Sequence, residues 1–220
     1  MFLHGYLSSG NSFFNQINYF EKSFEIFAPD LKGFGTNTDM KFPYSLDDYI
    51  EELKEYFYKK GIVKPCCIAH SFGGRIAIKS AYYDSNFFDK IVLTGAAGLR
   101  PKLTVKKFIK KSTFNLLKNF VSKNKLKRFY SKDYLSLNGV MRESFIKIVN
   151  EHLDYCLLGI KNKTLIINGK NDTETPIYLA KRLNRGIENS KLVLIKNAGH
   201  FAFIDNPFAF NMEVGEFLLS

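Results

Sequence analysis

One serine lies where two different hydrophobic patterns meet, with a small residue two positions before it and another two positions after it. Residues 66–68 form a short apolar run typical of a buried strand, and a helical pattern begins at Gly74. Ser71 therefore stands at the apex of a strand–turn–helix in which Ala69 and Gly73 let the two backbones approach closely. Such a turn strains the backbone of its apex residue and exposes the side chain at a sheet edge. Plain strand-to-helix turns have a similar composition, so this motif alone leaves a purely structural interpretation open.

Two further polar residues follow apolar runs later in the chain. Asp172 comes after the run 165–167, and His200 comes after the run 192–195. Like Ser71, each stands just past the end of a predicted strand, which is where open α/β sheets place their sites. The chain order serine, acid, histidine is one of the orders in which a nucleophile, its acid and its base occur.

With these residues the chain resembles the α/β-hydrolase superfamily. Besides the serine turn, the resemblance rests on four ordered motifs and covers nearly all of the 220 residues: His4-Gly5, residues 30–35, residues 169–172 and residues 198–200. It implies the α/β-hydrolase fold and a catalytic triad of Ser71, Asp172 and His200. The resemblance is strongest to small bacterial hydrolases of the esterase, lipase and C–C hydrolase type.

Apolar runs and helical patterns alternate along the chain, which predicts an α/β fold with a mostly parallel sheet covered on both faces. About six strands are expected, near residues 1–4, 24–29, 64–70, 89–94, 163–168 and 191–196. Helices are expected near residues 12–22, 45–60, 72–84, 176–186 and 206–219. Compared with the family, the N-terminal β-hairpin is missing. Residues 24–28 should therefore form an open edge strand, covered by another chain or by residues upstream.

The alternation breaks between about residues 99 and 158, where helical patterns dominate. The family inserts its cap at this point, so the resemblance implies a hydrolase core of residues 1–98 and 159–220 and a helical cap of residues 99–158. An amphipathic pattern over residues 140–149 predicts one of the cap helices. The cap is expected to roof the site with an inward face that includes Val105, Phe108 and Ile109.

Positive charge is concentrated in this cap. Between Arg100 and Lys132 the sequence has twelve Lys and Arg residues and no acidic residue, against a net charge of +11 for the whole chain. A solvated lysine face accounts for this pattern, and so would an anionic substrate or an acidic membrane surface. No nucleic-acid-binding signature accompanies the charge, so nucleic acid is not an expected partner.

Composition narrows the class of protein. With 220 residues and 45% hydrophobic residues, the chain can bury one substantial core. It has neither a run of ~18 apolar residues nor a charged-then-apolar leader, which favours a cytoplasmic protein. Cys66, Cys67 and Cys156 show neither disulfide nor metal spacing. We interpret them as core residues and expect neither a metal nor another cofactor.

The triad residues have distinct chemical roles. Ser71 needs a neighbouring base to become a nucleophile, and His200 is the candidate for that base. Asp172 would orient the histidine and stabilise its charged form. The oxyanion of the tetrahedral intermediate needs two donors. One is the backbone N–H of Phe72 at the helix N-terminus, and the family resemblance supplies the backbone N–H of Tyr6 as the other.

Other polar residues are weaker candidates. Glu174 is a reserve for the triad acid because it lies close to Asp172 in sequence, whereas Asp205 follows the histidine and falls out of order. His4 and His70 are interpreted as structural residues, and His152 as a surface residue of the cap.

Aromatic residues flank the predicted site and indicate an apolar acyl pocket, with Phe201, Phe203 and the cap residue Phe108 as candidate substrate contacts. The leading interpretation is a serine hydrolase that cleaves carboxylic esters of small molecules through an acyl-enzyme. A C–C bond hydrolase of anionic ring-cleavage products would use the same triad order and would give the basic cap a purpose. A non-catalytic binding domain of the same fold is the third hypothesis, against which the complete triad argues. The oligomeric state stays open, and a dimer is one expectation.

Overall fold

The structure is a computed structural model that describes residues 1–102, 137 and 139–220. Within these residues the sheet has five parallel strands, which neighbour one another in chain order. They are β1 (Phe2–Leu3), β2 (Cys67–His70), β3 (Ile91–Thr94), β4 (Thr164–Gly169) and β5 (Ser190–Ile195). Strand positions predicted near the start of the chain and from residue 64 onward are confirmed.

Helices alternate with these strands as the sequence predicts. The α-helices of the described residues are α1 (Phe14–Phe20), α2 (Leu46–Lys60), α3 (Phe72–Tyr83), α4 (Gly139–Asn150), α5 (Ile177–Gly186), α6 (Ala202–Asp205) and α7 (Pro207–Leu219). Two 3-10 helices accompany them, Gly10–Phe13 and Asp154–Gly159.

The register of the sheet determines where the site forms. Strands β2, β3 and β4 are buried along their whole length, as expected for parallel strands covered on both faces. Ala69 of β2 pairs with Leu3 of β1 and with Leu93 of β3. Because all five strands are parallel, their carboxyl ends meet at one edge of the sheet. The loops that follow β2, β4 and β5 therefore come together there.

The predicted strand at residues 24–29 is wrong, and the sheet of the described residues has five strands instead of about six. One backbone hydrogen bond joins this segment to β1, from the Phe2 N–H to the Phe27 carbonyl at 2.7 Å. Strand β1 is only two residues long, so it offers too few backbone groups for a regular ladder. The side chains of Phe24 and Ile26 pack instead, partly buried, against a hydrophobic cluster.

A groove of about 290 Å³ lies beside this segment, and its lining includes Phe24, Phe27, Ile62 and Val63. Residues 24–28 are all at least partly exposed. The expectations that another chain or upstream residues cover this edge, and that the protein dimerises, stay predictions.

Two helix starts follow signals that are visible in the sequence. Ser45 caps α2 in a capping box with Asp48, whose carboxylate accepts from the Ser45 N–H at 2.7 Å. Asn206 caps α7 by accepting from the Ala209 N–H at 3.2 Å, and Pro207 is the first residue of that helix. These caps satisfy N–H groups that the start of a helix leaves unpaired.

Helix α4 confirms the helix predicted at residues 140–149, and its assignment to a cap stays a prediction. Buried Arg75 on α3 holds its C-terminal end by donating from Nη1 to the carbonyls of Ile148 and Glu151 at 2.9 and 2.8 Å. Near its N-terminal half, the Ser144 hydroxyl accepts from the Tyr44 N–H at 2.9 Å. These contacts attach α4 to the core of the protein.

Most of the predicted cap lies outside the described residues. These are residues 103–136 and 138. The expectations for Val105, Phe108 and Ile109, and for most of the basic run, therefore lie outside the described residues. The division into a core of residues 1–98 and 159–220 and a cap of residues 99–158 stays a prediction.

In the part of the chain that the structure describes, two hydrophobic clusters form the core, one on each face of the sheet. Along β3, Ile91 and Leu93 belong to one cluster and Val92 to the other, because successive side chains of a strand point to opposite faces. Cys67 and Cys156 are buried in the first cluster and are free thiols, which confirms their predicted role as core residues. Cys66 is also free but only half-buried.

Two kinds of feature are absent from residues 1–102, 137 and 139–220. No helix there is long and apolar enough to cross a bilayer. The same residues bring together no group of three or more His, Cys, Asp or Glu side chains that could hold a metal ion.

Candidate active site

The serine turn is strained in the way that the sequence predicts. Ser71 has φ 48° and ψ −103° and precedes the first residue of α3. Its N–H donates to the Thr94 carbonyl at 3.1 Å, and its carbonyl accepts from the Ala97 N–H at 3.1 Å. A Cβ at Gly73 would lie 2.3 Å from the Leu3 carbonyl oxygen, so α3 can start this close to β1 only with glycine there. The serine itself stays half-exposed at the sheet edge.

Asp172 and His200 are in contact across the loops that follow β4 and β5. His200 Nδ1 is 3.0 Å from Asp172 Oδ2. The buried Asp172 carboxylate also accepts from the Thr175 hydroxyl at 2.7 Å and from the N–H groups of Glu174 and Thr175 at 2.9 and 2.8 Å. Burial by itself raises the pKa of Asp172, but the hydrogen bonds from His200 and Thr175 outweigh it and lower the pKa below its ordinary value. The imidazole therefore faces a charged carboxylate at neutral pH.

Close backbone contact holds the acid loop and the histidine loop together. A Cβ at Gly169 would lie 2.1 Å from the Gly199 carbonyl oxygen, so the end of β4 touches the chain just before the histidine. The Asn171 N–H donates to the Ala198 carbonyl at 2.8 Å. The backbone segments that precede Asp172 and His200 are thus in direct contact, which supports the contact between these two side chains.

The other ring nitrogen of His200 faces a second carboxylate. His200 Nε2 is 3.5 Å from Oε2 of Glu174, whose side chain is 66% exposed. The hydrogen bonds of the described residues include one between His200 and Asp172 but none between His200 and the Ser71 hydroxyl. The structure therefore brings two of the three predicted triad residues into contact and places the serine at the same edge of the sheet, at the end of β2.

His70 supports the histidine loop from below. Its Nε2–H donates to the His200 carbonyl at 3.2 Å, and the two rings lie 4.7 Å apart. Burial, together with the nearby His200, lowers the pKa of His70 to about 3. The ring is therefore neutral in the physiological range, which agrees with the structural role predicted for it.

A protein-family model matches most of the chain. The family is described as the alpha/beta hydrolase fold, and the match covers residues 1–129 and 102–207. The chain belongs to this family. The resemblance stated from the sequence, the fold class and the prediction of a hydrolase are thereby confirmed for this α/β hydrolase.

Related proteins cover nearly the whole hydrolase. The AB hydrolase superfamily protein YisY of Bacillus subtilis (strain 168) is 28% identical over 99% of this chain and 90% of its own length. This chain is also similar to the solved structure of a meta-cleavage product hydrolase from Pseudomonas fluorescens IP01. The identity is 25% and the TM-score is 0.75, over 99% of this chain and 89% of that chain. An esterase from Exiguobacterium antarcticum shares the fold with a TM-score of 0.78 at 23% identity, over 100% of this chain and 91% of that one.

His4 organises the loop after β1, which carries the predicted oxyanion donor Tyr6. The buried His4 ring donates from Nδ1 to the Gly5 carbonyl at 2.7 Å and accepts at Nε2 from the Leu31 N–H at 3.0 Å. Burial lowers the pKa of His4, so the neutral ring can donate at one nitrogen and accept at the other. This is the structural role predicted for His4 in the hydrolase.

The side chains of both predicted oxyanion donors belong to one aromatic group. The Tyr6 ring lies 5.5 Å from that of Phe72 and 5.1 Å from that of Phe145 on α4. The Tyr6 hydroxyl donates to the Met141 carbonyl on the same helix at 3.2 Å. The loop after β1 is therefore attached to α4, and the use of the two backbone N–H groups as oxyanion donors stays a prediction.

The predicted pocket residues fall in different places. Phe201 is 40% exposed, and its ring lies 5.4 Å from that of His200. Phe203 is fully buried with its ring 4.6 Å from that of Phe13, so the structure places it in the core instead of on a pocket wall. Residues two apart around a helical turn point in different directions, which explains why only the first is exposed. Phe108 lies outside the described residues.

Two residues that support the site were missed by the sequence reasoning. Thr175 binds Asp172 through its hydroxyl, and the same oxygen is 3.3 Å from His200 Nδ1. The sequence contains a signal for this contact, because an Asp commonly forms a turn in which its carboxylate accepts from residues two and three positions later. Asp205, set aside as a triad acid, accepts from the Gly199 N–H at 2.7 Å and so holds the histidine loop.

A basic cavity lies where the predicted cap begins. Its volume is about 550 Å³, and Arg100, Lys102, His152 and Arg182 line it. Asp154 pairs with Arg182 and offsets part of the positive charge. The binding of an anionic substrate or a membrane surface by the basic cap stays a prediction.

Proposed function

We propose that this α/β hydrolase is a serine hydrolase that cleaves carboxylic esters of small molecules. The observation that carries the proposal is the contact between buried Asp172 and His200 at the sheet edge where the strained Ser71 turn also ends. A serine hydroxyl, an imidazole and a buried carboxylate are the three groups that acyl transfer to serine needs. The exposed Phe201 ring beside the histidine offers an apolar surface for an acyl group.

In the proposed acylation step, Ser71 Oγ attacks the carbonyl carbon of the ester while His200 Nε2 takes the hydroxyl proton. The carbonyl π electrons move to oxygen, which becomes an oxyanion. The backbone N–H groups of Phe72 and Tyr6 are the proposed donors to it, each worth about 3 kcal/mol. The carbon–oxygen bond then breaks, His200 gives its proton to the departing alcohol, and the acyl group remains on Ser71.

Deacylation repeats these steps with water. His200 takes a proton from water, the hydroxide attacks the acyl carbon, and the proton returns to Ser71 as the acid leaves. Asp172 stays ionised throughout, because its hydrogen bonds hold its pKa low, and it stabilises the imidazolium in both steps. In this structure His200 Nε2 is 3.5 Å from Glu174 Oε2, and its hydrogen bond to the Ser71 hydroxyl is proposed to form when substrate binds. Catalytic hydrogen bonds commonly tighten only in the substrate complex.

A fluorophosphonate probe tests the proposal. Mass spectrometry should locate the adduct on Ser71, and Ser71→Ala should abolish labelling and lower kcat by roughly 10⁴-fold or more. Ser23→Ala, at an exposed serine, is the matched control and should label like the wild type. Labelling of another serine would remove Ser71 from its role. No labelling of the folded protein would favour the non-catalytic binding domain.

A second candidate is a C–C bond hydrolase of anionic ring-cleavage products. Its support is the likeness to the meta-cleavage product hydrolase, which extends over 99% of this chain. The basic residues Arg100, Lys102 and Arg182 around one cavity are compatible with an anionic substrate. A panel of p-nitrophenyl esters of increasing acyl length, assayed beside a dienoate ring-cleavage product, separates the two activities. We expect the esters to be the better substrates by kcat/KM, and a strong preference for the dienoate would reverse the assignment.

A further inference from the structure

Glu174 places a negative charge at the reactive nitrogen of His200. Its Oε2 lies 3.5 Å from Nε2, while Nδ1 on the opposite side of the ring is occupied by Asp172 at 3.0 Å. The Glu174 N–H donates to the Asp172 carboxylate at 2.9 Å, so the turn that holds the triad acid also determines where the glutamate begins. Its side chain extends from this fixed point into solvent and is 66% exposed.

The position of the leaving group follows from the chemistry of the proposed reaction. In the acylation step the alcohol oxygen receives its proton from His200 Nε2, so it must come within about 3 Å of that nitrogen. The leaving alcohol therefore passes within about 6–7 Å of the Glu174 carboxylate, which is itself 3.5 Å from Nε2. The acyl group lies on the other side of the reacting carbon and is farther from this charge.

Among the described residues, the titratable side chains that hydrogen-bond or pair with His200 and its loop carry no positive charge that would offset Glu174. His70 lies under the ring and is neutral, because burial lowers its pKa to about 3. Asp172 is negative as well, and Asp205 accepts from the Gly199 N–H on the histidine loop. The groups that contact His200 and its loop in the described structure thus give this side of the site a negative character.

We propose that Glu174 is a specificity-determining residue that selects esters by the charge of their alcohol, favouring cationic and neutral leaving groups over anionic ones. This inference rests on the proposed serine hydrolase, whose substrate class it narrows. A leaving group that carries a carboxylate, as a dienoate fragment would, is repelled by the same charge. Glu174 consequently favours the ester activity over the C–C hydrolase activity.

The expected size of the effect follows from Coulomb's law. The interaction of two unit charges about 6 Å apart changes kcat/KM by about threefold if the dielectric constant is that of water. The change is about tenfold if the effective dielectric constant is half that of water. Because Glu174 is exposed, salt should screen much of this effect at high ionic strength.

The test uses three butyrate esters whose alcohols have similar size but different charge: choline, 3,3-dimethylbutanol and 4-hydroxybutanoate. For wild type, Glu174→Gln and Glu174→Asp, kcat/KM is measured for each ester at low and high salt. Glu188→Gln is the matched control, because it also removes one exposed carboxylate but lies just before β5, at the sheet edge opposite His200. Ratios between variants for the same ester cancel the intrinsic reactivity of each alcohol.

Glu174→Gln should lower the ratio of choline to neutral ester by about threefold to tenfold and raise the ratio of anionic to neutral ester by a similar factor. Glu174→Asp and Glu188→Gln should keep ratios near those of the wild type, and high salt should bring all variants together. Unchanged ratios in an active Glu174→Gln enzyme overturn the charge selection and leave the serine hydrolase standing. Absence of both turnover and probe labelling in the wild type overturns the proposed function and this inference with it.

Discussion

Replacing Thr175 with valine removes one hydrogen bond from a buried carboxylate and nearly preserves side-chain volume. The Thr175 hydroxyl donates to Asp172 Oδ2 at 2.7 Å, and Asp172 is 5% exposed. Hydrogen bonds to charged groups contribute about 1.5–3 kcal/mol, so the free energy of unfolding should fall by about 2 kcal/mol. In a protein of 220 residues this lowers Tm by about 4–8 °C.

The effect of Thr175→Val should depend on pH with a definite sign. Burial raises the pKa of Asp172, but hydrogen bonds from His200 and Thr175 lower it further, so its native pKa lies below the ordinary value. A carboxyl with a lowered native pKa contributes stability that is present above the unfolded pKa of about 4 and is lost as the pH falls through the native pKa. The difference between wild type and variant should therefore be full at pH 7 and shrink below about pH 4.

Thermal unfolding followed by calorimetry at pH 7 and at pH 3 measures both parts of this prediction. Thr175→Ser keeps the hydroxyl and serves as the control, with a Tm much closer to that of the wild type at pH 7. The reasoning is refuted if Thr175→Val melts with the wild type at pH 7. A difference in Tm that persists undiminished at pH 3 would show that packing, and not the charged hydrogen bond, is lost.

Two further predictions concern packing around the site. Gly73→Ala should lower the free energy of unfolding by about 2 kcal/mol or more, because the new Cβ would lie 2.3 Å from the Leu3 carbonyl oxygen. Urea denaturation measures this, and Gly215→Ala, where no atom lies within 3.8 Å of the new Cβ, should leave the midpoint unchanged or raised. Half-buried Cys66 should react with Ellman's reagent in the native protein, whereas Cys67 should react only after unfolding, because burial raises its pKa to about 12. Equal rates for the two thiols would contradict the buried position of Cys67.

Most of the sheet could be predicted because its strands carry their signal locally. Residues 165–167 form an apolar run, and the structure buries every residue of the strand Thr164–Gly169 around it. The failed strand at residues 24–29 has a similar apolar composition. Strand formation also needs a partner of sufficient length, and two-residue β1 does not provide one. Apolar character alone was therefore not enough to predict that this segment pairs as a strand.

Some parts of the candidate site could also be predicted from the sequence. The spacing of small residues around Ser71 predicted its strained turn, because the close approach of β1 and α3 leaves no room for a Cβ at Gly73. The chain order predicted that Asp172 and His200 would come together at one sheet edge, as they do at 3.0 Å. These inferences needed only the topology of a parallel sheet.

The contacts that tune the site required the folded chain. Glu174 was a reserve acid in the sequence, and only the structure shows that it faces Nε2 while Asp172 faces Nδ1. Phe203 had the same aromatic character as Phe201, yet one ring is in the core and the other is exposed.

By itself, the sequence determined the fold family, the positions of most strands and helices, and the residues that line up along one edge of the sheet. Local patterns carry these features because apolar period, caps and turn residues act within a few positions along the chain. Tertiary structure alone decided that Asp205 holds the histidine loop through Gly199 and that His70 supports it from below. Such contacts depend on distances between side chains from different elements, which rotamers and loop paths set only once the core has packed.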